Sequence, residues 1–128
     1  MKTLECIMLV DDDADTNFYN KIVLEQTDAT NEIVVFENGK DALMYLEKGN
    51  NKVDLILLDI NMPIMNGWQF LEHYEKLDEN KKATTIVVML TSSINIDDKL
   101  KAERLKSIKK FINKPIIPET INEILALV

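Results

Sequence analysis

Five residues from four separate stretches of the chain carry groups suited to handling a phosphate: the carboxylates Asp11, Asp12 and Asp59, the hydroxyl of Thr91 and the amine of Lys114. Each stands where a short apolar run ends. Leu4 to Val10 leads into Asp11, Leu55 to Leu58 into Asp59, Ile86 to Leu90 into Thr91, and Phe111-Ile112 into Asn113-Lys114-Pro115. Carboxylates gathered at one place repel and raise one another's pKa unless a cation holds them ionised. Oxygen-only ligands favour Mg²⁺ or a similar hard ion, which usually takes one or two carboxylates, keeps waters and leaves room for a phosphate oxygen. Lys114 would then supply a point charge for a phosphoryl group, and Thr91 a hydrogen-bond donor. Taken singly, Asp11-Asp12-Asp13 is an ordinary strand end with a helix cap, Lys114-Pro115 an ordinary turn, and Thr91-Ser92-Ser93 a polar strand exit. Their conjunction carries the signal.

The apolar runs that deliver these groups read as strands. Leu55-Ile56-Leu57-Leu58 shows no alternation, which suits a central parallel strand covered on both faces, and Pro63 with Asn66-Gly67 then turns the chain. Leu4 to Val10, Ile33 to Phe36, Ile86 to Leu90 and Phe111-Ile112 complete five strands. Between them lie helical patterns. Asp13 can cap a helix from Ala14 to about Gln26, with Tyr19, Val23 and Leu24 turned inward and Phe18 with Ile22 as a weaker second stripe. Lys40 to Lys48 places Ala42, Leu43 and Leu46 at helical spacing, and Gly49-Asn50-Asn51 ends it. Trp68 to Leu77 repeats Phe70, Leu71 and Tyr74. Asp97 or Asp98 can cap a helix running to about Lys106, and Pro118 suits the first turn of a last helix whose inner face is Ile121, Ile124, Leu125 and Val128. Strands alternating with helices through short connections predict an α/β, doubly wound parallel sheet, and in such sheets ligands bind beyond the strands' carboxyl ends.

A length of 128 residues suits one domain. With 46% hydrophobic and 29% charged residues the chain has the balance of a folded protein, and a formal net charge of -7 argues against nucleic acid. The basic run Lys99, Lys101, Arg104, Lys106, Lys109 and Lys110 reads as a solvated flank. Cys6 has no partner for a disulfide and reads as core; His73 reads as surface, Trp68 as half-buried packing and the scattered Met residues as core filler. No segment reaches membrane-spanning length and no signal peptide is evident, so the expected compartment is the cytoplasm.

Val10-Asp11-Asp12, Leu58-Asp59-Ile60-Asn61-Met62-Pro63, Leu90-Thr91-Ser92 and Lys114-Pro115, in that order and at those separations, make the chain resemble a response-regulator receiver domain of two-component signalling. The resemblance covers essentially the whole chain and implies a flavodoxin-like sheet of strand order 2-1-3-4-5. It implies that Asp59 accepts a phosphoryl group from a histidine kinase or histidine phosphotransfer protein. Asp12 would ligate Mg²⁺ directly, Asp11 through a metal-bound water, and Asp59 and the backbone carbonyl of Asn61 would complete the protein's share. Lys114 would contact the phosphoryl oxygens, and Thr91 with Phe111 would form the switch. Three departures from the family pattern stand out. Phe111 replaces a frequent tyrosine, Asn66-Gly67 replaces Asp-Gly, and Lys106-Ser107-Ile108 replaces a Gly-containing turn.

The expectation is a stand-alone receiver, residues 1–128, with no attached effector. It would bind no nucleic acid or membrane, be a monomer or weak homodimer, and signal to a downstream protein by contact. It is not expected to be an enzyme beyond its own Mg²⁺-dependent phosphorylation and dephosphorylation. Two other readings compete: a Mg²⁺-dependent aspartyl-phosphate hydrolase, disfavoured because Asn61 stands where a second Asp is normally wanted, and an unphosphorylated interaction module, disfavoured because every acidic, hydroxyl and lysine position is filled. A nucleotide-binding P-loop is excluded, since no GxxxxGK[ST] occurs.

Overall fold

In a computed structural model of the chain, the apolar runs pair side by side as one five-stranded parallel sheet of order β2-β1-β3-β4-β5. The structure describes residues 3–49, 52–83, 86–91, 96–104, 108–114 and 116–127; for residues 86–91, 98, 102 and 109 it describes the backbone alone. In chain order the elements are β1 (Leu4–Val10), α1 (Ala14–Gln26), β2 (Thr30–Phe36), α2 (Gly39–Lys48), β3 (Leu55–Asp59), α3 (Gly67–Glu75), a 3-10 turn (Glu79–Lys81), β4 (Ile86–Thr91), α4 (Ile96–Arg104), β5 (Ile108–Asn113) and α5 (Pro118–Leu125). The α/β architecture matches that expected from the sequence, and the strand order matches the one the family resemblance implies.

Strand alternation divides the core in two. Ile7, Leu9, Leu55, Leu57 and Ile112 pack with Val23 and Leu24 of α1 and Ile121, Ile124 and Leu125 of α5. Cys6, Met8, Val10, Ile56 and Leu58 pack on the other face with Ala42 and Leu46 of α2 and Phe70, Leu71 and Tyr74 of α3. Every residue of β3 is buried, as an unalternating central strand requires. Each such buried aliphatic side chain contributes roughly 1.5–3 kcal/mol relative to its exposed state.

Local sequence sets the helix ends. Asp13 caps α1: its carboxylate accepts from the Asp15 amide at 3.1 Å and from the Thr16 hydroxyl at 2.7 Å. Those two donors, the hydroxyl first, hold its carboxyl below the usual range. Asn38 caps α2, and Asn66 forms a reciprocal capping box with Gln69 at the start of α3. Gly49 closes α2 at φ 66°, a left-handed conformation that costs glycine little. Pro118 occupies the first turn of α5. Among the described residues no helix is long and apolar enough to cross a membrane.

Several sequence expectations need correction. Tyr19 does not face inward; it is 43% exposed, and Phe18 and Ile22 are exposed too. The buried face of α1 is Asn17, Asn20, Val23 and Leu24, because its first turns lie over the polar edge of the sheet and only its last turns over the apolar core. Asp97 and Asp98 are not caps, since α4 already begins at Ile96 and both fall in its first turn. Strands β2 and β5 extend beyond their apolar runs. Met44 is half exposed, so the methionines are not uniformly core, although Met8 and Met62 are buried. Cys6 is buried, Trp68 is half-buried and His73 is exposed, as expected. Lys106, Ser107, Ser92, Ser93, Pro115 and Val128 lie outside the described residues, as does the side chain of Thr91.

Candidate functional site

Register brings the acidic residues together. Val10 stands opposite Leu58, so the next residues along β1 and β3, Asp11 and Asp59, come side by side where the strands end. Both share the alternation of Leu9 and Leu57, and Lys114 shares that of Ile112, so all three project from the α1/α5 side. The Lys114 Nζ donates to Asp11 Oδ2 at 2.6 Å and pairs with Asp59 Oδ1 at 3.0 Å. Asp11 and Asp59 are buried, at 3% and 4% exposure, whereas Asp12 is exposed. One oxygen from each of Asp11, Asp12 and Asp59 lies within 4.8 Å of the others.

Asp11 is tied at every polar atom. Its amide donates to the Phe36 carbonyl at 3.0 Å, and its carbonyl accepts from Asn17 Nδ2 at 2.8 Å. Its Oδ1 accepts from the Asp13 amide at 2.9 Å, which leaves Oδ2 for Lys114. Asp12, held between these anchors, presents its carboxylate to solvent. Past Asp59 the chain is folded back by two short bonds, Gly67 amide to Ile60 carbonyl at 2.8 Å and Met65 amide to Pro63 carbonyl at 2.7 Å. Asn61 is exposed in this turn. Gly39 is packed close beneath it, for a Cβ there would lie 2.8 Å from Met65 Sδ.

Burial is the largest influence on Asp59 and pushes its carboxyl above the ordinary 3.8; the Lys114 hydrogen bond opposes that, and the charges of Asp11 and Asp12 reinforce it. For Lys114 burial disfavours the charge, but the hydrogen bonds and charges of Asp11 and Asp59 outweigh it, so the amine is held above its usual 10.5. With three carboxylates gathered around one ammonium, the site is short of positive charge. Its donor set, all carboxylate oxygen with one member open to solvent, fits a hard divalent cation.

The backbone of Thr91 also reaches this edge, since Asp59 stands opposite Leu90 and Thr91 opposite Asn113. Phe111 faces away, into the α2/α3 side of the core, where its ring stacks on Trp68 at 6.4 Å with 25° between the planes. The Lys101 Nζ lies 5.5 Å from the centroid of Trp68 on the ring's other neighbour, α4. Sequence reasoning did not single out Asn17. Its signal was present as Asn17, Asn20 and Leu24, a helical stripe with polar members where an apolar one was expected.

Comparison with known proteins gives the family and the fold. The family model of the response regulator receiver domain matches residues 7–126. The transcriptional regulatory protein FlgR of Helicobacter pylori is 33% identical over 117 residues, covering 91% of this chain and 28% of FlgR. A response regulator receiver protein of Anaeromyxobacter is 28% identical over 109 residues, covering 85% of this chain and 42% of its own length. The chain thus spans less than half the length of these curated relatives. Among solved structures, a two-component response regulator from Cytophaga hutchinsonii superposes with a TM-score of 0.89 at 27% identity, covering 98% of this chain and 96% of that one. A response regulator receiver protein from Dyadobacter fermentans gives 0.84 at 28% identity, with 94% of each chain covered. A family match running from the first strand to the last helix, on a fold that gathers its carboxylates and lysine at one sheet edge, places the chain among the response regulator receiver domains of two-component signalling.

Proposed function

We propose that Asp59 takes a phosphoryl group from a phosphohistidine donor, a histidine kinase or a histidine phosphotransfer protein, and that the resulting acyl phosphate changes the chain's binding surface toward a downstream protein. The observation that carries this reading is Lys114 spanning Asp11 and Asp59, which sets a fixed cation beside an ionisable oxygen nucleophile at a sheet's carboxyl edge. In the step, the phosphorus–nitrogen bond to the donor imidazole breaks as a phosphorus–oxygen bond to an Asp59 carboxylate oxygen forms. The bonding pair returns to the imidazole. No general base is needed, because the ionised carboxylate is itself the nucleophile, and Lys114 with a bound cation would favour that form. Asp11, Asp12, Asp59 and the Asn61 carbonyl would hold Mg²⁺, which when bound neutralises the charge gathering on the phosphoryl oxygens. Lys114 would then follow the phosphoryl group as its second counter-charge.

Two exposed apolar residues support a protein donor. Phe18, at 68% exposure, lies next to Asn17 on α1, and Ile64 is fully exposed in the turn after Asp59. Ile64 also holds φ 68°, a conformation costing a β-branched residue roughly 1–2 kcal/mol. An apolar side chain kept exposed and strained beside a reactive carboxylate suits a docking contact. The test compares two phosphodonors on the same variants. Phe18→Ala should slow transfer from a phosphorylated histidine phosphotransfer protein about tenfold, the loss expected of a truncated aromatic anchor, and leave labelling by acetyl phosphate unchanged. Ile64→Gly should do the same while folding no less stably. Equal slowing with both donors would contradict docking at these residues, and repeated turnover of phosphoesters by the wild type would favour a hydrolase instead.

Thr91 and Phe111 would carry the switch, the hydroxyl drawn toward the phosphoryl group and the ring following. Because Phe111 stacks on the single tryptophan of the chain, Trp68 should report it. Phosphorylation is expected to change Trp68 emission in the wild type, with the change largely lost in Phe111→Ala. An unchanged spectrum from a chain shown by mass to be phosphorylated would contradict ring movement.

A further inference from the structure

Asn17 is 4% exposed, on a helix face that otherwise packs against the sheet. Only half of its amide is used: Nδ2 donates to the Asp11 carbonyl at 2.8 Å, while Oδ1, fully buried, has no hydrogen-bond partner among the described residues. A buried acceptor left in that state is unfavourable, so an apolar side chain would serve packing at least as well. What the amide provides is its donor. The bond it makes fixes the peptide plane between Asp11 and Asp12, and that plane sets the direction in which the Asp12 side chain leaves the backbone. The other supports of the turn act elsewhere, on the Asp11 amide through Phe36 and on the Asp11 carboxylate through Asp13 and Lys114. None of them restrains that carbonyl.

We propose that Asn17 is a positioning residue of the cation site: by anchoring the Asp11 carbonyl it aims the exposed Asp12 carboxylate at the place where Asp11 and Asp59 also converge. The inference rests on the phosphoacceptor reading and deepens it. Groups that orient metal ligands without touching the metal typically change affinity 10–100-fold when removed. Asn17 touches no reacting atom, so its loss should weaken Mg²⁺ binding without altering the chemistry of a site filled with Mg²⁺.

The experiment titrates Mg²⁺ by calorimetry into wild type, Asn17→Leu and Asn17→Gln, and measures labelling by acetyl phosphate over the same Mg²⁺ range. Asn17→Leu is expected to melt within a few degrees of wild type without metal and to need about tenfold more Mg²⁺ for half-saturation in both measurements. Its labelling rate at saturating Mg²⁺ should equal that of the wild type. Asn17→Gln, which keeps the amide donor, should recover part of the affinity. If Asn17→Leu does not fold, Asn17→Ala is read by the same criteria. Equal Mg²⁺ affinity in wild type and the folded variant overturns the proposal, and so does a labelling deficit that saturating Mg²⁺ fails to restore. Absence of Mg²⁺ binding by the wild type instead removes the phosphoacceptor reading itself.

Discussion

Asp59→Asn is expected to take no label from acetyl phosphate and Mg²⁺ under conditions that label the wild type, and in the absence of metal it should be the more stable protein. The two effects share one cause. Asp59 is 4% exposed and shares its edge with Asp11 and Asp12, so its ionised form is disfavoured in the fold and its carboxyl lies above the ordinary 3.8. A group whose folded pKa is raised contributes stability below its unfolded pKa and loses that contribution as pH rises through the folded value. Wild type with chelator should therefore melt at progressively lower temperature, relative to Asp59→Asn, as pH climbs from the ordinary carboxylate range through the raised value. The gap should close again at low pH. Thermal melts of the two proteins across that window check it, and a wild type that outlasts Asp59→Asn at neutral pH without metal would contradict the electrostatic account.

The second large effect belongs to Lys114. Its amine is the shared counter-charge of two buried carboxylates, at 2.6 and 3.0 Å. Removing one partner of a buried charge pair costs roughly 3–5 kcal/mol, and the low end applies here because Asp59 can relieve itself by taking a proton. Lys114→Met should accordingly destabilise the metal-free protein by about 3 kcal/mol. It should also label about 100-fold more slowly at saturating Mg²⁺, the usual loss when one fixed donor to a developing oxyanion is removed. Mg²⁺ should nevertheless bind more tightly, since a cation has been taken from beside the site. Weaker Mg²⁺ binding in Lys114→Met, or labelling at the wild-type rate, would contradict the assigned role.

Much of the site was legible because each of its charged residues stands within two positions of the end of an apolar run. Asp11, Asp12 and Asp59 are found by where the apolar run stops, and Lys114 by the short run before it. The edges of the sheet were harder to read. The Thr30-Asn31-Glu32 segment belongs to β2 because its backbone pairs with Leu4 and Cys6, although its side chains are polar or exposed. An edge strand needs only one paired side and tolerates such residues. The same holds for β5, which starts at Ile108 and carries Lys110 into the ladder beside β4, after a register shift that passes over Lys109. Helix α1 misled in the opposite sense. Tyr19 looked like a core residue at helical spacing, but the first turns of that helix lie over carboxylates, and amides fill the buried positions there. Asn17 was therefore invisible to any rule equating inward with apolar. The stacking of Phe111 on Trp68 joins residues from β5 and α3, and no local pattern announces such a contact.

The central claim is that the phosphoryl group resides on Asp59. An acyl phosphate on aspartate is reduced by borohydride to homoserine, which marks the acceptor permanently for tandem mass spectrometry. After treatment of the wild type with acetyl phosphate and Mg²⁺, homoserine is expected at position 59 alone, and at no position when the metal is chelated first. Homoserine at position 11 or 12, label on the exposed His73 or a hydroxyl residue, or undiminished labelling under chelation would contradict the account.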